Sequence, residues 1–180
     1  ESEYDLADFV EEEGFDTVKM YDEMMALVKE HVTNPYLLKL AELFSDKYRE
    51  RFRVHYGAQK VHHAYLGGLM EHTFSIMKLA VICADHYRLD KDLLVIGALF
   101  HDIGKMFEFR TNPALETTMA GGLLGHIMIG TTMFQQLKNQ IPDFPKDLEY
   151  KIQHLMISHH GEKEYGSPEI PKTAEAFVLH

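Results

Sequence analysis

The segment LFHDIGK, residues 99–105, combines side chains that divalent-metal chemistry requires. An imidazole nitrogen and a carboxylate oxygen suit ions such as Mn²⁺, Fe²⁺ or Zn²⁺. Asp102 has two carboxylate oxygens, so it can bridge two ions, as two-metal hydrolysis requires. His101 and Asp102 are neighbours and cannot share one face of a helix. They can, however, flank an ion that lies beyond a helix end. One His-Asp pair by itself is weak evidence for a metal site.

Three further histidine sites lie at predicted helix ends or early turns. His72 is one predicted helix upstream, His126 follows the glycine-containing stretch 121–125, and His159-His160 closes an apolar helix. Glycine beside several of them lets a backbone approach an ion closely. The alternative for each site is a hydrogen-bonded structural histidine. Histidines scattered through a core, however, would show no preference for helix ends and early turns. The pattern therefore predicts metal binding.

Apolar periodicity predicts that an all-α, single-domain fold positions these side chains. Asp16 or Thr17 can cap the first helix, and Asn34 with Pro35 can begin the second. Residues 89–100 become almost wholly apolar toward their end, which predicts a central buried helix. The helical patterns cover residues 16–31, 36–52, a stretch after 62–69 that runs to about 87, 90–100, 122–139, 146–159, and a last helix from Thr173. Residues 111–118 and 161–172 are predicted loops, and we find neither an internal repeat nor an alternating strand pattern.

Composition limits the classes of function. The net charge is −10, from 18 Lys+Arg against 28 Asp+Glu, so the chain has no general electrostatic attraction for nucleic acid. Arg49, Arg51 and Arg53 with Lys60 form a basic cluster that we interpret as a solvated face rather than a track for a nucleic-acid backbone. No apolar run reaches the roughly 18 residues of a membrane span. A single cysteine cannot form an intrachain disulfide, which favours the cytoplasm.

The spacing of His72 and the His101-Asp102 pair resembles the HD superfamily of metal-dependent phosphohydrolases. Lys105, His126 and His159-His160 resemble the members that hold two metals. The stretches HHAYLGGL, LLGHI, SHHG and YGSP, which begin at residues 62, 123, 158 and 165, are similar to the YhaM-type 3′–5′ exoribonucleases. The resemblance runs from about Asn34 to the end of the sequence.

This resemblance implies a role for each site residue. It makes His72, His101 and Asp102 ligands of a first metal, with Asp102 bridging to a second. His126, His159 and His160 would complete the second metal, and Lys105 would lie near the scissile phosphate. We expect two divalent ions, Mn²⁺ first, with Fe²⁺, Co²⁺, Zn²⁺ or Mg²⁺ as alternatives.

Other expectations concern the substrate entrance and the ends of the chain. His63 and Lys163 are candidate substrate-binding residues, with structural or surface roles as the alternative.

We expect residues 1–14 to form an acidic arm and 15–180 the HD domain. The resemblance also implies an N-terminal OB-type domain, and a distal aspartate just after His180, so we expect a weak first metal site without it. Whether the protein forms a homo-oligomer is left open.

Three functions follow from these observations. The leading interpretation is metal-dependent hydrolysis of phosphodiester bonds at the 3′ end of single-stranded RNA or DNA, with Asp102 and Lys105 in the catalytic centre. Two ions would activate a water, so no Ser or Cys nucleophile is needed. The second interpretation is hydrolysis of a small or signalling nucleotide. The third, from another class, is a non-catalytic, metal-binding regulatory module.

Overall fold

The computed structural model describes residues 16–57, 65–110 and 115–180, and within them the predicted all-α fold is confirmed. The helices are α1 (Thr17–His31), α2 (Pro35–Arg53), α3 (Gly68–Tyr87), α4 (Lys91–Phe100), α5 (Lys105–Glu108), α6 (Met119–Lys138), α7 (Lys146–Ser158) and α8 (Ala174–Leu179). Strands β1 (Phe109–Arg110) and β2 (Glu116–Thr117) form an antiparallel pair. The sequence predicted neither strand, because two residues are too few to show alternation. The predicted acidic arm at 1–14 lies outside the described residues.

Side-chain caps begin five of the described helices, and Thr118 is the cap of α6. Asp16, Asn34, Asp90 and Thr173 each accept hydrogen bonds from backbone N–H groups in the first turn of α1, α2, α4 and α8. Such a cap satisfies donors that have no partner within the helix. Pro35 lies in the first turn of α2, where its missing N–H removes no helical hydrogen bond. Asp16 and Thr17 were both predicted as possible N-caps of α1, and Asp16 is the residue that caps the helix.

Helix α4 is the central buried helix, as its composition predicted. Every residue from Leu93 to Phe100 is buried, and α4 packs against α1, α2, α3, α7 and α8. A helix that is apolar on all sides is stable only when it is enclosed. Because α4 ends at Phe100, its burial fixes the position of the two residues that follow, His101 and Asp102. No helix in the described part of the chain has the length and apolarity needed to cross a membrane.

Gly104 lets the turn after Asp102 lie directly against α6. A Cβ built on Gly104 would overlap the carbonyl oxygen of His126 and lie 2.6 Å from the backbone nitrogen of Gly130. The two segments therefore meet backbone to backbone. This contact brings the C-terminal end of α4 close to His126.

Helix α6 is interrupted at Gly125, which has φ 70° and ψ 162°. This left-handed φ favours glycine over residues with a Cβ. At the break, the backbone N–H of His126 donates to Glu108 Oε1 at 3.1 Å. The predicted helix began at Gly122, whereas α6 begins at Met119, because the Thr118 side chain caps it by accepting from the N–H of Gly121.

Replacing Gly104 by alanine should destabilise the protein by about 1–3 kcal/mol, the usual range for overpacking, because the new Cβ must displace the backbone of α6. Gly122→Ala is the matched control. The nearest atom to a Cβ there is Thr117 Cγ2 at 3.9 Å. Alanine at 122 should therefore be neutral or stabilising by up to about 1 kcal/mol. Urea denaturation measures both free energies of unfolding, and equal effects would contradict the close contact at Gly104.

Candidate metal centre

Asp102 lies at the centre of the histidine cluster, and its two oxygens face different imidazole rings. Its Oδ2 is 3.2 Å from His101 Nε2 and 3.6 Å from His72 Nε2. Its Oδ1 is 3.5 Å from both His126 Nε2 and His159 Nε2. The aspartate is only 3% exposed. The arrangement is the one that a carboxylate bridging two ions needs.

Backbone carbonyl groups set the tautomers of two of these histidines. His101 Nδ1 donates to the carbonyl oxygen of Ala98, and His159 Nδ1 donates to that of Met156, each at 2.7 Å. A carbonyl oxygen only accepts hydrogen bonds, so Nδ1 carries the proton in both rings. In the neutral ring, the lone pair is then on Nε2, the atom that faces Asp102. This is the arrangement found in metal-binding histidines.

Glu108 positions His126 in a similar way. Its Oε2 lies 3.2 Å from His126 Nδ1, while its Oε1 accepts the backbone N–H of the same residue. One carboxylate therefore holds both the ring and the backbone of His126. The sequence analysis missed Glu108. Its only signal is that it lies one helical turn after Lys105, and α5 is too short to show a periodic pattern.

Three buried atoms at the centre have no hydrogen-bond partner: Asp102 Oδ1, His126 Nε2 and His159 Nε2. Lone pairs that face one another in a buried site are unfavourable unless a cation lies between them. Two ligand atoms bound about 2.1 Å from one ion, at 90–109°, lie roughly 3.0–3.4 Å apart. The observed separations of 3.2–3.6 Å are close to that range. The donor atoms therefore fit divalent cations.

The donors form two groups, each able to hold one ion. One comprises His72, His101 and Asp102, and the other comprises His126, His159 and His160. Within each group the ligand atoms lie within 4.8 Å of one another. The structure thus brings together all six residues predicted as ligands, although metal binding by each of them stays a prediction.

The acid–base states of Asp102 and His159 suit this role. Burial alone would raise the pKa of Asp102, but His101 and the Lys105 ammonium offset it and hold that pKa well below its usual value. The carboxylate is therefore ionised at neutral pH. Burial lowers the pKa of His159 to about 4, despite its contact with Asp102. Its ring is neutral at pH 7, with the Nε2 lone pair free to bind a cation.

The candidate substrate-binding residues differ in their placement. Lys105 Nζ donates to Asp102 Oδ2 at 2.7 Å, and its side chain is 19% exposed. Lys163 is exposed on a short 3₁₀ helix at Lys163–Tyr165, just after the His159-His160-Gly161 turn. His63 lies outside the described residues. The substrate roles of all three stay predictions.

A comparison of the chain with models of known protein families agrees with the assignment of this site as a candidate metal centre. The model of the HD domain family matches residues 69–180, a span that contains the six predicted ligands and Lys105. The chain therefore belongs to the HD domain family of metal-dependent phosphohydrolases. No solved structure matches the chain.

Glu108→Gln should weaken binding at the second group by about 10–100-fold, the usual effect of losing a residue that orients a ligand. The amide removes the negative charge and replaces one of the two oxygens near His126 Nδ1 by an N–H donor, so its hold on the ring should weaken. Calorimetric titration with Mn²⁺ measures the effect, and the first group should retain its affinity. Glu116→Gln is the matched control, since Glu116 pairs with Arg110 on the surface. Unchanged Mn²⁺ affinity in Glu108→Gln would contradict the positioning role.

Proposed function

We propose that this protein hydrolyses phosphodiester bonds at the 3′ end of single-stranded RNA or DNA and releases mononucleotides. The observation that carries the hydrolytic part is the Asp102 carboxylate, whose buried Oδ1 faces two imidazole nitrogens that have no hydrogen-bond partner. Such a set of lone pairs requires positive charge. Two divalent cations would supply it and provide a place for an anionic phosphate.

The chemistry divides between the cations and the side chains. Divalent cations bound there would act as Lewis acids toward a phosphoryl oxygen and lower the pKa of a water nucleophile. Asp102 directs Oδ2 at rings of the first donor group and Oδ1 at rings of the second. Carbonyl and carboxylate acceptors hold His101, His126 and His159 in the binding tautomer. The Lys105 ammonium, close to Asp102, would stabilise negative charge that develops on the phosphate.

Sequence resemblance supports the choice of a nucleic-acid end as substrate. The segments LLGHI and SHHG, which resemble the YhaM-type exoribonucleases, contain His126, His159 and His160 of the second donor group. The similarity therefore includes the residues next to the proposed reaction centre. The same resemblance supports Mn²⁺ as the working ion and an OB-type domain as the partner that binds single strands.

A small nucleotide is the second candidate substrate, and contacts of the arginines on α2 favour it. These side chains are engaged within the protein, which does not favour a continuous basic track for a long nucleic acid. Arg51 also stacks on the Phe107 ring, 4.1 Å from its centroid. The contacts are Arg49 with Asp22 at 2.9 Å, Arg51 with the carbonyl oxygen of Met106 at 2.8 Å, and Arg53 with Glu50 at 2.8 Å.

One assay separates the candidates. The protein is incubated with Mn²⁺ and 5′-labelled single-stranded RNA, single-stranded DNA or a nucleotide panel, and products are resolved by gel electrophoresis and chromatography. The proposal predicts a ladder that shortens by single nucleotides from the 3′ end. Hydrolysis confined to the nucleotide panel would support the second candidate. A metal-loaded protein that hydrolyses nothing would support a non-catalytic module.

Asp102→Asn should abolish metal binding and hydrolysis together, because it removes the charge shared by both donor groups. Asparagine keeps the shape of the side chain, so the fold is expected to survive. Elemental analysis gives the metal content, and circular dichroism gives the helix content. Retention of two tightly bound ions would contradict the bridging role of Asp102.

Lys105→Ala should behave differently, since its proposed role is electrostatic. Metal content should stay unchanged while kcat falls by roughly 10²–10³, the effect of losing one group that stabilises developing charge. Elemental analysis and steady-state kinetics on the same preparation check both statements. Loss of metal, or unchanged turnover, would show that the assignment is wrong.

A further inference from the structure

A cavity of about 370 Å³ opens beside the second donor group. Its apolar wall comes from α6, the end of α7 and the loop that follows. The residues of this wall are Leu124, Ile127, Met128, Ile157 and Pro168. A volume of this size is at the lower end of those found for small-molecule sites, and a mostly apolar wall is typical of them. We call it the α6–α7 cavity.

The α6–α7 cavity is continuous with the candidate metal centre. His126 and His160 belong both to its lining and to the second donor group. The break at Gly125 leaves the backbone open on this side, since a Cβ built there meets no atom within 4 Å. A molecule with a phosphoryl group at the metal centre can therefore extend a substituent into the cavity.

The charge of the cavity restricts that substituent. None of the residues that line it in the described part of the chain is lysine or arginine, and Glu108 contributes a carboxylate. A second phosphate would meet no compensating cation there and is disfavoured. An uncharged ring with apolar faces is favoured, because the wall can bury those faces. The Thr131 hydroxyl, which donates to the carbonyl oxygen of Met128, can still accept a hydrogen bond from a polar ring edge.

We infer that the α6–α7 cavity binds the nucleobase of the nucleotide whose phosphate lies at the histidine–aspartate centre. This assignment rests on the proposed function and extends it, because it names the part of the substrate that the protein recognises. The apolar wall does not distinguish one nucleobase from another. The cavity is therefore expected to accept any nucleobase.

The test compares two adjacent leucines on α6. Leu124 lines the cavity and is 58% exposed, whereas Leu123 is 74% exposed and does not line it. Leu124→Glu places a charge at the cavity, and Leu123→Glu places the same charge one residue away. Both positions are exposed, so neither change should disturb the core, and thermal melting followed by circular dichroism checks this. Met128→Glu, at a second exposed lining position, provides an independent variant.

Isothermal titration calorimetry on the Mn²⁺-loaded protein gives the readout, with adenosine 5′-monophosphate and ribose 5-phosphate as probes. The protein without substitutions should bind adenosine 5′-monophosphate at least about tenfold more tightly than ribose 5-phosphate, because only the nucleotide has a base to bury. Leu124→Glu and Met128→Glu should remove this difference, and Leu123→Glu should preserve it. Equal affinity for the two probes, no binding of the nucleotide, or equal losses in Leu123→Glu and Leu124→Glu would overturn the inference.

Failure of this inference is distinguishable from failure of the proposed function. Suppose that the protein hydrolyses phosphodiesters but the affinity ratio of the two probes does not respond to Leu124→Glu. The cavity assignment is then wrong and the proposed function stands. If the ratio responds as expected but no phosphoester is hydrolysed, the cavity binds a nucleobase and the catalytic proposal fails.

Discussion

The buried Asp102 carboxylate has imidazole nitrogens close to both of its oxygens, and this is the interaction on which the rest of the site depends. On the Oδ2 side, Lys105 supplies a positive charge. On the Oδ1 side, His126 and His159 present nitrogens without hydrogen-bond partners. Burial makes such a group of acceptors unfavourable without cations. The need for positive charge therefore links the packing of the helices to the chemistry proposed for them.

The fold satisfies that need by bringing rigid elements together at one point. Burial of α4 on all sides fixes Asp102 just beyond its end, and His159 directly follows α7. α6 reaches the site only because Gly104 permits a backbone contact and Gly125 interrupts the helix. These side chains lie on helices or directly after them rather than on long loops, and the ligand atoms are close together without an ion. Preorganisation of this kind is what a metal centre requires.

The sequence predicted the parts of the structure that depend on local patterns. The caps at Asp16 and Asn34, a last helix that begins at about Thr173, the buried α4 and the convergence of the histidines follow from short-range signals or from family resemblance. Glu108 could not be predicted, because its partner His126 lies 18 positions away and α5 spans four residues. The strand pair was missed because two residues are too few to show alternation, and the early start of α6 was missed because a single cap at Thr118, rather than a periodic pattern, sets it.

The net charge of the protein would require any recognition of a phosphate to be local. A net charge of −10 opposes a polyanion at long range, and the arginines of α2 are engaged with groups of the protein itself. Attraction for a phosphate would therefore have to come from a small region, where cations held by the histidine–aspartate centre would reverse the sign of the potential. The adjoining apolar cavity offers nothing to a second phosphate but can bury an uncharged ring. Under the proposed function, the domain would thus recognise one nucleotide at a time, and longer contacts with a nucleic acid would fall to another domain or partner.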